Sequence, residues 1–439
     1  MASSWSYAEA LADLDARVDL EAVLQGRSAA PTLDRMAALT GAMGEPQRAY
    51  PVLHVTGTNG KGSTAALASA LVAARGLSVG TYTSPDLERV NERIARNGEP
   101  IADDELAAAL EAVAALEPLA GVRATRFELL TSAAYRWFAD QAVDVAVVEV
   151  GMGGRWDATN VADAAVAVVT NVGLDHAEIL GPTALDVARE KAGIVKPSSR
   201  LVLGETDPAL AAPFHQAGPV EAWVRDADFG TASNQVAHGG RVVDLFTPGA
   251  RYQQVFLPAY GAHQGDNTAL AVAATEALFG APLGDEALRR ALGRVELPGR
   301  LEVVGRQPLV VLDGAHNPDG ARAAAAALAD DFGAVESRVL VVGLLRGREP
   351  GEMVSLLSGG RARLVVACEP PSPRAQPAAE VAAAARAAGL EALEAPSPAA
   401  AVAAATAAAG SDELVLVSGS LYLVGAARAA LAGRPPTAR

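Results

Sequence analysis

From Val52 onward, short runs of β-branched residues alternate with longer segments of helical spacing. The segments "VLHVTG", "SVGTYT", "VDVAVVEV", "AAVAVVTNV" and "RLVLGE" are predominantly apolar, as expected of strands buried on both faces of a parallel sheet. Helices are predicted between them over "KGSTAALASALVAARG", "DDELAAALEAVAAL", "FELLTSAAYRWFADQ" and "TALDVAREKAGIV". This alternation predicts the α/β class, with a mostly parallel sheet covered by helices.

The pattern changes at two places along the chain. Residues 219–258 are rich in Gly, Val and Thr without helical spacing, which predicts a small antiparallel patch. Pro and Gly interrupt residues 295–308, and a second α/β series follows, with strands over "PLVVLDG", "RVLVVGL", "RLVVACE" and "DELVLVSGS". We therefore predict two domains, 1–296 with a short N-terminal segment and 297–439 with a Rossmann-like α/β fold. The boundary is placed near Leu297–Arg300.

Charge and composition exclude several classes of protein. The formal net charge of −15 argues against general binding to nucleic acid or membrane surfaces, which depends on basic patches. No apolar run is long enough to cross a bilayer, and "MASSWSYAEALADLD" lacks the basic and apolar regions of a secretory signal. The only cysteine, Cys368, excludes a disulfide framework and a Cys-based zinc site, and "ARLVVACEP" predicts that it is buried on a strand. We expect a cytoplasmic monomer with small-molecule partners and no nucleic-acid or membrane partner.

The segment "HVTGTNGKGST", residues 54–64, joins the first predicted strand to a long helix. In the usual phosphate-binding loop Ser or Thr directly follows the lysine, whereas here Gly62 stands between Lys61 and Ser63. The context still favours phosphate binding, because the glycines permit a tight turn and the helix N-terminus adds its positive dipole end. Lys61 would supply a mobile charge for the β- and γ-phosphates, and Ser63 or Thr64 can approach Mg²⁺.

Lysine is rare in this chain. Of 36 basic residues only Lys61, Lys191 and Lys196 are lysines, and the remainder are arginines. A lysine in such a composition can do what arginine cannot, because a buried amine can lose its proton. The glycine-rich loop gives independent support for Lys61, whereas chance remains an alternative for the other two.

Polar residues follow several predicted strands at their carboxyl ends, where open α/β sheets bind ligands. Glu149 ends the run "VAVVEV", and a carboxylate there requires a cation or hydrogen bonds, for which Mg²⁺ is a suitable partner. His176, beside Asp175, follows the next strand, and we assign it a metal or phosphate role against the alternative of a structural hydrogen bond. A neutral Lys191 amine can react with CO₂ to form an anionic, metal-binding carbamate; a simple ion pair with Glu190 is the alternative.

Ordered segments from residue 57 onward carry a family resemblance: "GTNGKGS", "YTSPDLERVNERI", "FELLTSAAY", "EVGMGGRWDATN", "TNVGLDHAEILG", "AREKAGIVKP", "HQGDNTALA", "LPGRLEVV" and "DGAHNPDGA". Together they are similar to the folylpolyglutamate synthase/dihydrofolate synthase group of the Mur ligase superfamily, over nearly the full length. "GTNGKGS" alone would indicate only the wider superfamily. Two positions depart from the family pattern: Asp86 stands where the family commonly has His, and Trp156 replaces a usually smaller or non-indole residue.

The resemblance implies a P-loop-type first domain and an enzyme that uses ATP, two Mg²⁺ ions and an N-carboxylated Lys191. The residues implied to bind nucleotide are Gly57, Thr58, Asn59, Gly60, Lys61, Gly62, Ser63, Asn267, Arg300 and Asp313. The residues implied to hold metal are Ser84, Glu149, His176 and Lys191. The implied catalytic residues are Lys61, Lys191 and His316. The pterin-type substrate is implied to lie near Pro31, Thr32, Leu33, Thr125, Phe127 and Arg155.

The implied reaction is the activation of a carboxylate by ATP. The γ-phosphoryl group passes to the substrate to form an acyl phosphate, and L-glutamate then attacks through its amine to give an amide, ADP and phosphate. Dihydropteroate, reduced folates or both are the implied acceptors, and closure about a hinge at 295–300 is expected to gate the reaction. Three alternatives stay open: a Mur-type ligase for a different carboxylate, a nucleotide-dependent switch without ligation, and a binding module that has lost catalysis.

Overall fold

The computed structural model describes residues 4–18 and 32–434, and its strands form three sheets. The strands of the first sheet are β1 Val52–Thr56, β2 Val79–Tyr82, β3 Ile94–Arg96, β4 Glu99–Pro100, β5 Val145–Glu149, β6 Val166–Val169, β7 Arg200–Leu203 and β8 Glu221–Val224. Those of the second are β9 Gly230–Ala237, β10 Gly240–Phe246 and β11 Arg251–Leu257. Those of the third are β12 Glu302–Arg306, β13 Leu309–Leu312, β14 Arg338–Val342, β15 Ala362–Ala367, β16 Glu391–Glu394 and β17 Leu414–Ser418.

Helices separate most of these strands, as the sequence pattern predicts. The α-helices before the third sheet are Tyr7–Asp15, Asp34–Ala42, Lys61–Ala74, Asp103–Ala114, Glu117–Ala120, Arg126–Asp140, Ala177–Leu180, Ala184–Lys191, Pro208–Gln216, His263–Phe279 and Asp285–Leu292. Those around the third sheet are Pro318–Asp331, Pro350–Ser358, Ala378–Ala387, Pro398–Ala408 and Leu421–Leu431. Short 3₁₀ helices are Pro46–Arg48, Val90–Arg93, Ala158–Val161 and Ala192–Ile194. In the part of the chain that the structure describes, no helix combines the length and apolar character needed to span a membrane.

The first sheet has the order β4-β3-β2-β5-β1-β6-β7-β8, with β1 at its centre. β1 pairs in parallel with β5 and β6, so that Val55 lies opposite Glu149 on one side and Val168 on the other. Every residue of these three strands is buried, because helices cover both faces of the sheet. This double burial explains the uninterrupted apolar runs in the sequence.

The third sheet has the order β12-β13-β17-β14-β15-β16, and all its neighbouring strands are parallel except β12 and β13. Helices again cover both faces, with separate apolar clusters on each side. The predicted α/β class, with a parallel-rich sheet in each half of the chain, is confirmed. The division at 296/297 stays a prediction.

Five strands differ from the sequence-based expectation, namely β3, β4, β8, β12 and β16, and all are edge or short strands. β8 falls in the region predicted as an antiparallel patch, but it pairs in parallel with β7, with Val224 opposite Leu203; only β9, β10 and β11 form the antiparallel sheet. β3, β4, β12 and β16 are not among the predicted strands, because these short or partly exposed segments lack the apolar runs of central strands. Cys368 is buried as predicted, one residue beyond the end of β15.

Candidate active site

One cleft gathers the carboxyl ends of strands from the first and third sheets. Its volume is about 470 Å³, and its two walls come from the loops after β1, β5 and β6 and from those after β13, β14 and β17. All residues implied to bind nucleotide, hold metal or take part in catalysis line this cleft: Gly57, Thr58, Asn59, Gly60, Lys61, Gly62, Ser63, Ser84, Glu149, His176, Lys191, Asn267, Arg300, Asp313 and His316. The fold thus brings together groups that are far apart in the chain.

The loop after β1 has the geometry of a phosphate-binding turn. Gly57 has a φ of +146°, and a Cβ there would lie 1.8 Å from Thr170 Oγ1, so only glycine fits. Gly60, at a φ of +83°, directly precedes the helix Lys61–Ala74 and has no side chain with which to cap it. The first N–H groups of this helix and the positive end of its dipole are therefore available to an anion in the cleft.

Two lysines converge on the same loop. Lys61 Nζ donates to the carbonyl oxygens of Gly57 and Thr58, both at 3.2 Å, and Lys191 Nζ donates to Gly57 O at 2.7 Å. Burial, together with the nearby charge of Lys61, lowers the pKa of Lys191 to about 7. The alternative ion pair is not formed among the described residues: Glu190 instead accepts from the N–H of Trp156 at 3.3 Å.

Glu149, Ser84 and Gly62 form what we call the metal corner of the cleft. The Glu149 carboxylate is 4% exposed and accepts from the Ser84 N–H at 3.1 Å. Burial raises its pKa, although the charge of Lys61 partly opposes this. A Cβ at Gly62 would lie 3.4 Å from Glu149 Oε2, so the carboxylate adjoins the start of the phosphate-loop helix. A buried carboxylate beside a phosphate site is a suitable ligand for Mg²⁺, which retains phosphate and water oxygens as its other ligands.

His176 lines the same cleft and is held in a left-handed conformation, with a φ of +53°, at the start of the helix Ala177–Leu180. Burial lowers its pKa to about 4, which leaves the neutral imidazole that can bind a metal ion. Among the described residues no three His, Cys, Asp or Glu side chains converge as a complete metal centre. The donor set therefore fits an ion that shares its ligands with phosphate and water rather than one enclosed by protein.

Asp175 joins the two walls of the cleft. It follows β6 of the first sheet, yet its carboxylate accepts from Asn317 Nδ2 at 3.0 Å and from Arg348 Nη2 at 2.7 Å, both on the opposite wall. His316 Nε2 lies 3.4 Å from the same carboxylate. Burial alone would raise the pKa of Asp175, but the hydrogen bond from His316 and the surrounding positive charges hold it below its usual range. Asn317 Nδ2 also donates to Asn59 Oδ1 at 3.0 Å, which is a second hydrogen bond between the two walls.

The third-sheet wall places Asp313 and Arg300 side by side. Asp313, directly after β13, accepts from the N–H groups of Leu301 and Ala315 at 3.0 Å. Burial raises the pKa of this carboxyl group, and the charge of Arg300 opposes the shift. His316 is oriented by its Nδ1, which lies 3.0 Å from the carbonyl oxygen of Gly314. This wall therefore presents a cation and an oriented imidazole to whatever the phosphate loop binds.

Comparison with known proteins accounts for this arrangement. The sequence-family model named Mur ligase middle domain matches residues 55–275. The family model named Mur ligase, glutamate ligase domain matches residues 299–421. A dihydrofolate synthase/folylpolyglutamate synthase of Mycobacterium tuberculosis is 41% identical over 326 residues, which are 69% of this chain and 67% of that protein. A folylpolyglutamate synthase of Lacticaseibacillus casei is 36% identical over 413 residues, which are 91% of this chain and 94% of that protein. The chain belongs to the folylpolyglutamate synthase/dihydrofolate synthase family.

Solved structures of this family share the fold. The Mycobacterium tuberculosis folylpolyglutamate synthase complexed with ADP and AMPPCP has a TM-score of 0.88 at 36% identity, covering 98% of this chain and 100% of that one. The Escherichia coli protein in complex with DHPP and ADP has a TM-score of 0.86 at 28% identity, covering 99% of each chain. A Yersinia pestis folylpolyglutamate synthase/dihydrofolate synthase complexed with AMPPNP and Mn ion has a TM-score of 0.83 at 28% identity, covering 98% of this chain and 99% of that one. The resemblance inferred from the sequence motifs is confirmed.

The residues that family resemblance implies for the pterin side are placed differently from the nucleotide residues. Pro31 lies outside the described residues, and none of the described members of this set is among the lining residues of the cleft. Thr125 caps the helix Arg126–Asp140 by accepting from the Glu128 N–H at 3.2 Å. Phe127 packs beside Gly151, where a Cβ would lie 2.6 Å from its ring. Arg155 Nη2 donates to Arg189 O at 3.3 Å. The remaining members are Thr32 and Leu33, and the substrate role of this set stays a prediction.

The family departure at Asp86 has a clear structural context. Its carboxylate is 7% exposed and accepts from Arg93 Nε at 2.6 Å, so a buried ion pair occupies this position. The charge of Asp86 helps to raise the pKa of Arg93, although burial opposes the shift.

Several residues of the cleft were not predicted from the sequence. Five of them are Asp175, Arg348, Arg374, Ser420 and Tyr422. All but Asp175 follow strands of the third sheet, in segments where the same carboxyl-end rule that selected Glu149 applies. Arginine carries no compositional signal in a chain so rich in it, whereas the rarity of lysine drew attention to Lys61 and Lys191.

Proposed function

We propose that this protein is an ATP-dependent ligase that adds L-glutamate to the carboxylate of a folate-type substrate through an acyl phosphate. The observation that carries the proposal is a single cleft in which the phosphate loop and Lys61 face Arg300, Asp313 and His316, in a chain of this ligase family. Phosphoryl transfer depends on positioning and charge neutralisation rather than on a protein nucleophile, and the two walls offer both.

In the first step ATP donates its terminal phosphoryl group to the substrate carboxylate. Relatives complexed with ADP, AMPPCP and AMPPNP support a nucleotide at this site. The N–H groups at the start of the helix Lys61–Ala74 bind the phosphates. The Lys61 amine neutralises negative charge on the γ-phosphoryl group during its transfer to the substrate carboxylate. Arg300 neutralises the same charge from the third-sheet wall, where Asp313 keeps the neighbouring backbone in place through its hydrogen bonds to Leu301 and Ala315. Asn267, whose amide adjoins Gly60, faces the base.

We propose that two divalent ions bind at and beside the metal corner, held by Ser84, Glu149, His176 and a carbamylated Lys191. The relative complexed with AMPPNP and a Mn ion supports a divalent metal. When bound, such ions neutralise the charge that develops on the phosphoryl oxygens. Glu149 suits this role because its buried charge is met mainly by one backbone N–H. Lys191 suits it because its amine is buried and has a pKa near neutrality, so the CO₂-reactive form is populated.

In the second step the amine of glutamate attacks the acyl phosphate and phosphate leaves. His316 has its Nδ1 directed at the carbonyl of Gly314, which orients Nε2 for contact with an oxygen of the departing phosphate. Asp175 and Arg348 lie next to it on the two walls, so closing the cleft brings their ion pair beside the reacting groups. The chemistry requires no covalent attachment of substrate to the chain.

The proposed reaction is tested by supplying the purified protein with ATP, Mg²⁺ and glutamate, together with dihydropteroate or tetrahydrofolate in separate reactions. We expect ADP release that depends on glutamate and on the pterin compound, and a product heavier by one glutamyl unit. Comparing the two acceptors shows whether the protein has one activity or both. ATP turnover without an amide product would contradict the proposal and favour a nucleotide-dependent switch. Lys61→Ala is the control for turnover that is independent of the cleft.

We further propose that residues 1–296 and 297–439 act as two domains that close about residues 295–300, and that the enzyme works as a monomer. The high net negative charge supports a monomer that keeps small molecules as its partners. Light scattering on the purified protein measures the mass directly. A cross-link that fixes residues 295–300 without reducing turnover would contradict the hinge.

A further inference from the structure

A short segment of the first-sheet wall is attached to the metal corner at one end. We call residues 84–93 the coupling segment; it leaves β2 and returns to β3 through the 3₁₀ helix Val90–Arg93. At its start the Ser84 N–H donates to the Glu149 carboxylate. A shift of the coupling segment therefore changes the position of Ser84 relative to the Glu149 carboxylate in the metal corner.

The coupling segment is held together as one unit. Three successive N–H groups, those of residues 87–89, donate to the carboxylate of Glu92 at 2.8 to 3.2 Å. The ion pair between Asp86 and Arg93 connects its two ends. Since its backbone is cross-linked by these bonds, a displacement of the tip moves the whole segment instead of being absorbed by a flexible loop.

The tip of the coupling segment packs into the third-sheet half of the protein. Leu87 contacts the apolar cluster on one face of the third sheet. Its carbonyl oxygen approaches the helix Leu421–Leu431 so closely that a Cβ at Gly425 would lie 1.8 Å from it. Only a glycine on this helix permits the contact.

Glu88 adds charge to this apolar contact. Its side chain is 7% exposed and accepts from Arg428 Nη1 at 2.5 Å and from Arg434 Nη2 at 3.0 Å. Arg428 Nε donates in turn to Glu302 at 2.9 Å, which holds the guanidinium in place. Separating the two halves would leave a largely buried carboxylate without its partners, so these bonds favour one fixed distance between them.

The helix that receives Glu88 also reaches the cleft. Its N-terminal residues Ser420, Leu421 and Tyr422 line the cleft, and Ser420 Oγ caps the helix by accepting from the Tyr422 N–H at 3.2 Å. Arg428 lies two turns further along the same rigid element. The coupling segment and this helix therefore form two arms, each with one end at the cleft, joined to each other through Glu88 and Leu87.

We propose that Glu88 is a positioning residue for the ligation reaction: its bonds to Arg428 and Arg434 set the spacing between the metal corner and the third-sheet wall. The inference rests on the proposed function and goes beyond it, because Glu88 lies outside the lining of the cleft and touches no reacting group. Phosphoryl transfer needs the metal corner and Arg300 at one spacing, and a misplacement of about 1 Å costs on the order of 10²-fold in rate.

The test is Glu88→Gln, which retains the size of the side chain and removes its charge. We expect kcat for ligation to fall about tenfold, because the two walls lose their fixed spacing. KM for ATP should change less than kcat, by about twofold at most, because the loop proposed to make most of the phosphate contacts lies wholly in the first-sheet wall. The matched control is Glu413→Gln. It removes a carboxylate that forms a 2.7 Å ion pair with Arg363, outside the lining of the cleft. It should retain the wild-type kcat.

A double-mutant cycle with Arg428→Met separates coupling from independent damage. If Glu88 acts through Arg428, the double variant should be no slower than the slower single variant. Losses that multiply, or a Glu88→Gln enzyme with kcat within about twofold of wild type, would overturn the inference. A fall in the thermal midpoint of unfolding with unchanged kcat would show a merely structural role and would also overturn it.

The two proposals fail in distinguishable ways. Wild-type protein without glutamate ligation contradicts the proposed function, whereas active wild type with an equally active Glu88→Gln contradicts only the positioning role. If Glu88→Gln does not fold, Arg428→Lys takes its place, because a lysine amine cannot bridge Glu88 and Glu302 as the guanidinium does. A lowered kcat in that variant supports the inference, and an unchanged kcat contradicts it.

Discussion

Glu149 ends β5 and Asp175 lies in the loop after β6, the two strands that flank β1, and both carboxylates are largely buried. Burial raises the pKa of Glu149, whose carboxylate meets the backbone N–H of Ser84. The pKa of Asp175 is instead held low, because Arg348, His316 and Asn317 reach it from the opposite wall.

The difference separates two uses of a buried charge. Glu149 forms no direct ion pair among the described residues, although Lys61, Arg300 and Arg93 act on it from a distance, and this suits a side chain that receives a cation together with the nucleotide. The protein compensates the charge of Asp175 with groups from the other half, which suits a side chain that holds the two walls together. Neighbouring positions on one sheet edge therefore differ in whether substitution should affect chemistry or stability.

The largest effect is expected from Glu149→Gln. Ligation should fall by roughly 10³-fold, because the metal corner loses its charge where phosphoryl transfer needs it. The free energy of unfolding in urea without metal should stay unchanged or rise by about 1 kcal/mol, because a poorly compensated buried charge is removed. Steady-state kinetics and urea titration check the two parts. A destabilised variant with full activity would show that this carboxylate is structural.

A smaller loss, on the order of 10²-fold, is expected from Lys191→Ala. ¹³C NMR of wild-type protein supplied with ¹³CO₂ should show a carbamate carbon, and this signal should be missing from the variant. Lys196→Ala is the matched control: Lys196 Nζ donates to Gly193 O at 3.2 Å, and this lysine is outside the lining of the cleft. If Lys191→Ala keeps wild-type turnover, the metal corner needs no anionic ligand at this position.

Asp175→Asn should show the opposite balance to that expected for Glu149→Gln, with a larger effect on stability than on activity. Turnover should fall only about tenfold, whereas the free energy of unfolding should fall by about 3 kcal/mol, because the half-buried Arg348 loses its partner and the buried carboxylate that joins the two walls is gone. Since the folded-state pKa of Asp175 is depressed, its contribution is present above the unfolded value near pH ~4 and is lost as the pH falls below it. The stability difference between wild type and variant should therefore shrink in acid. A constant difference down to pH ~2 would contradict the ion-pair explanation.

The smallest effect concerns ligand-induced stabilisation. Mg²⁺ with a non-hydrolysable ATP analogue should raise the unfolding midpoint of wild type and of Asp175→Asn by about 3 °C, because both retain the metal corner. Glu149→Gln should show a clearly smaller rise in the same thermal scan. Equal rises in all three proteins would mean that Glu149 contributes nothing to binding the metal–nucleotide complex.

Part of the first-sheet wall could be predicted from sequence, because Lys61, Glu149 and His176 end or follow apolar runs that indicate strands. The carboxyl-end rule placed these residues at one edge of the sheet, and the observed strand order makes the ends of β1, β5 and β6 neighbours. Rarity of lysine pointed independently to Lys61 and Lys191. The pairing of Lys191 with a backbone carbonyl instead of Glu190 could not be foreseen, since it depends on how the helix Ala184–Lys191 packs.

The third-sheet wall was harder to predict from residue patterns. Arg300, Asp313 and His316 came only from the family resemblance, and Arg348 and Arg374 were missed. The last two lie on loops after β14 and β15 that are joined by an isolated bridge between Leu345 and Ala375, a tertiary contact with no local signal. The partners of Asp175 are likewise set by the way the two halves meet. The roles of the pterin-side residues remain predictions.

The scarcity of lysine gives this enzyme a built-in chemical reporter. Two of its three lysine amines, those of Lys61 and Lys191, line the cleft, and only the amine of Lys61 is proposed to contact the phosphates directly. The extent of lysine acylation, measured by peptide mass mapping, should therefore report whether the cleft is occupied, with no engineered residue in the protein. Nucleotide binding should lower the acylation of Lys61 relative to that of Lys196, which serves as the internal standard, so the ratio of the two measures binding.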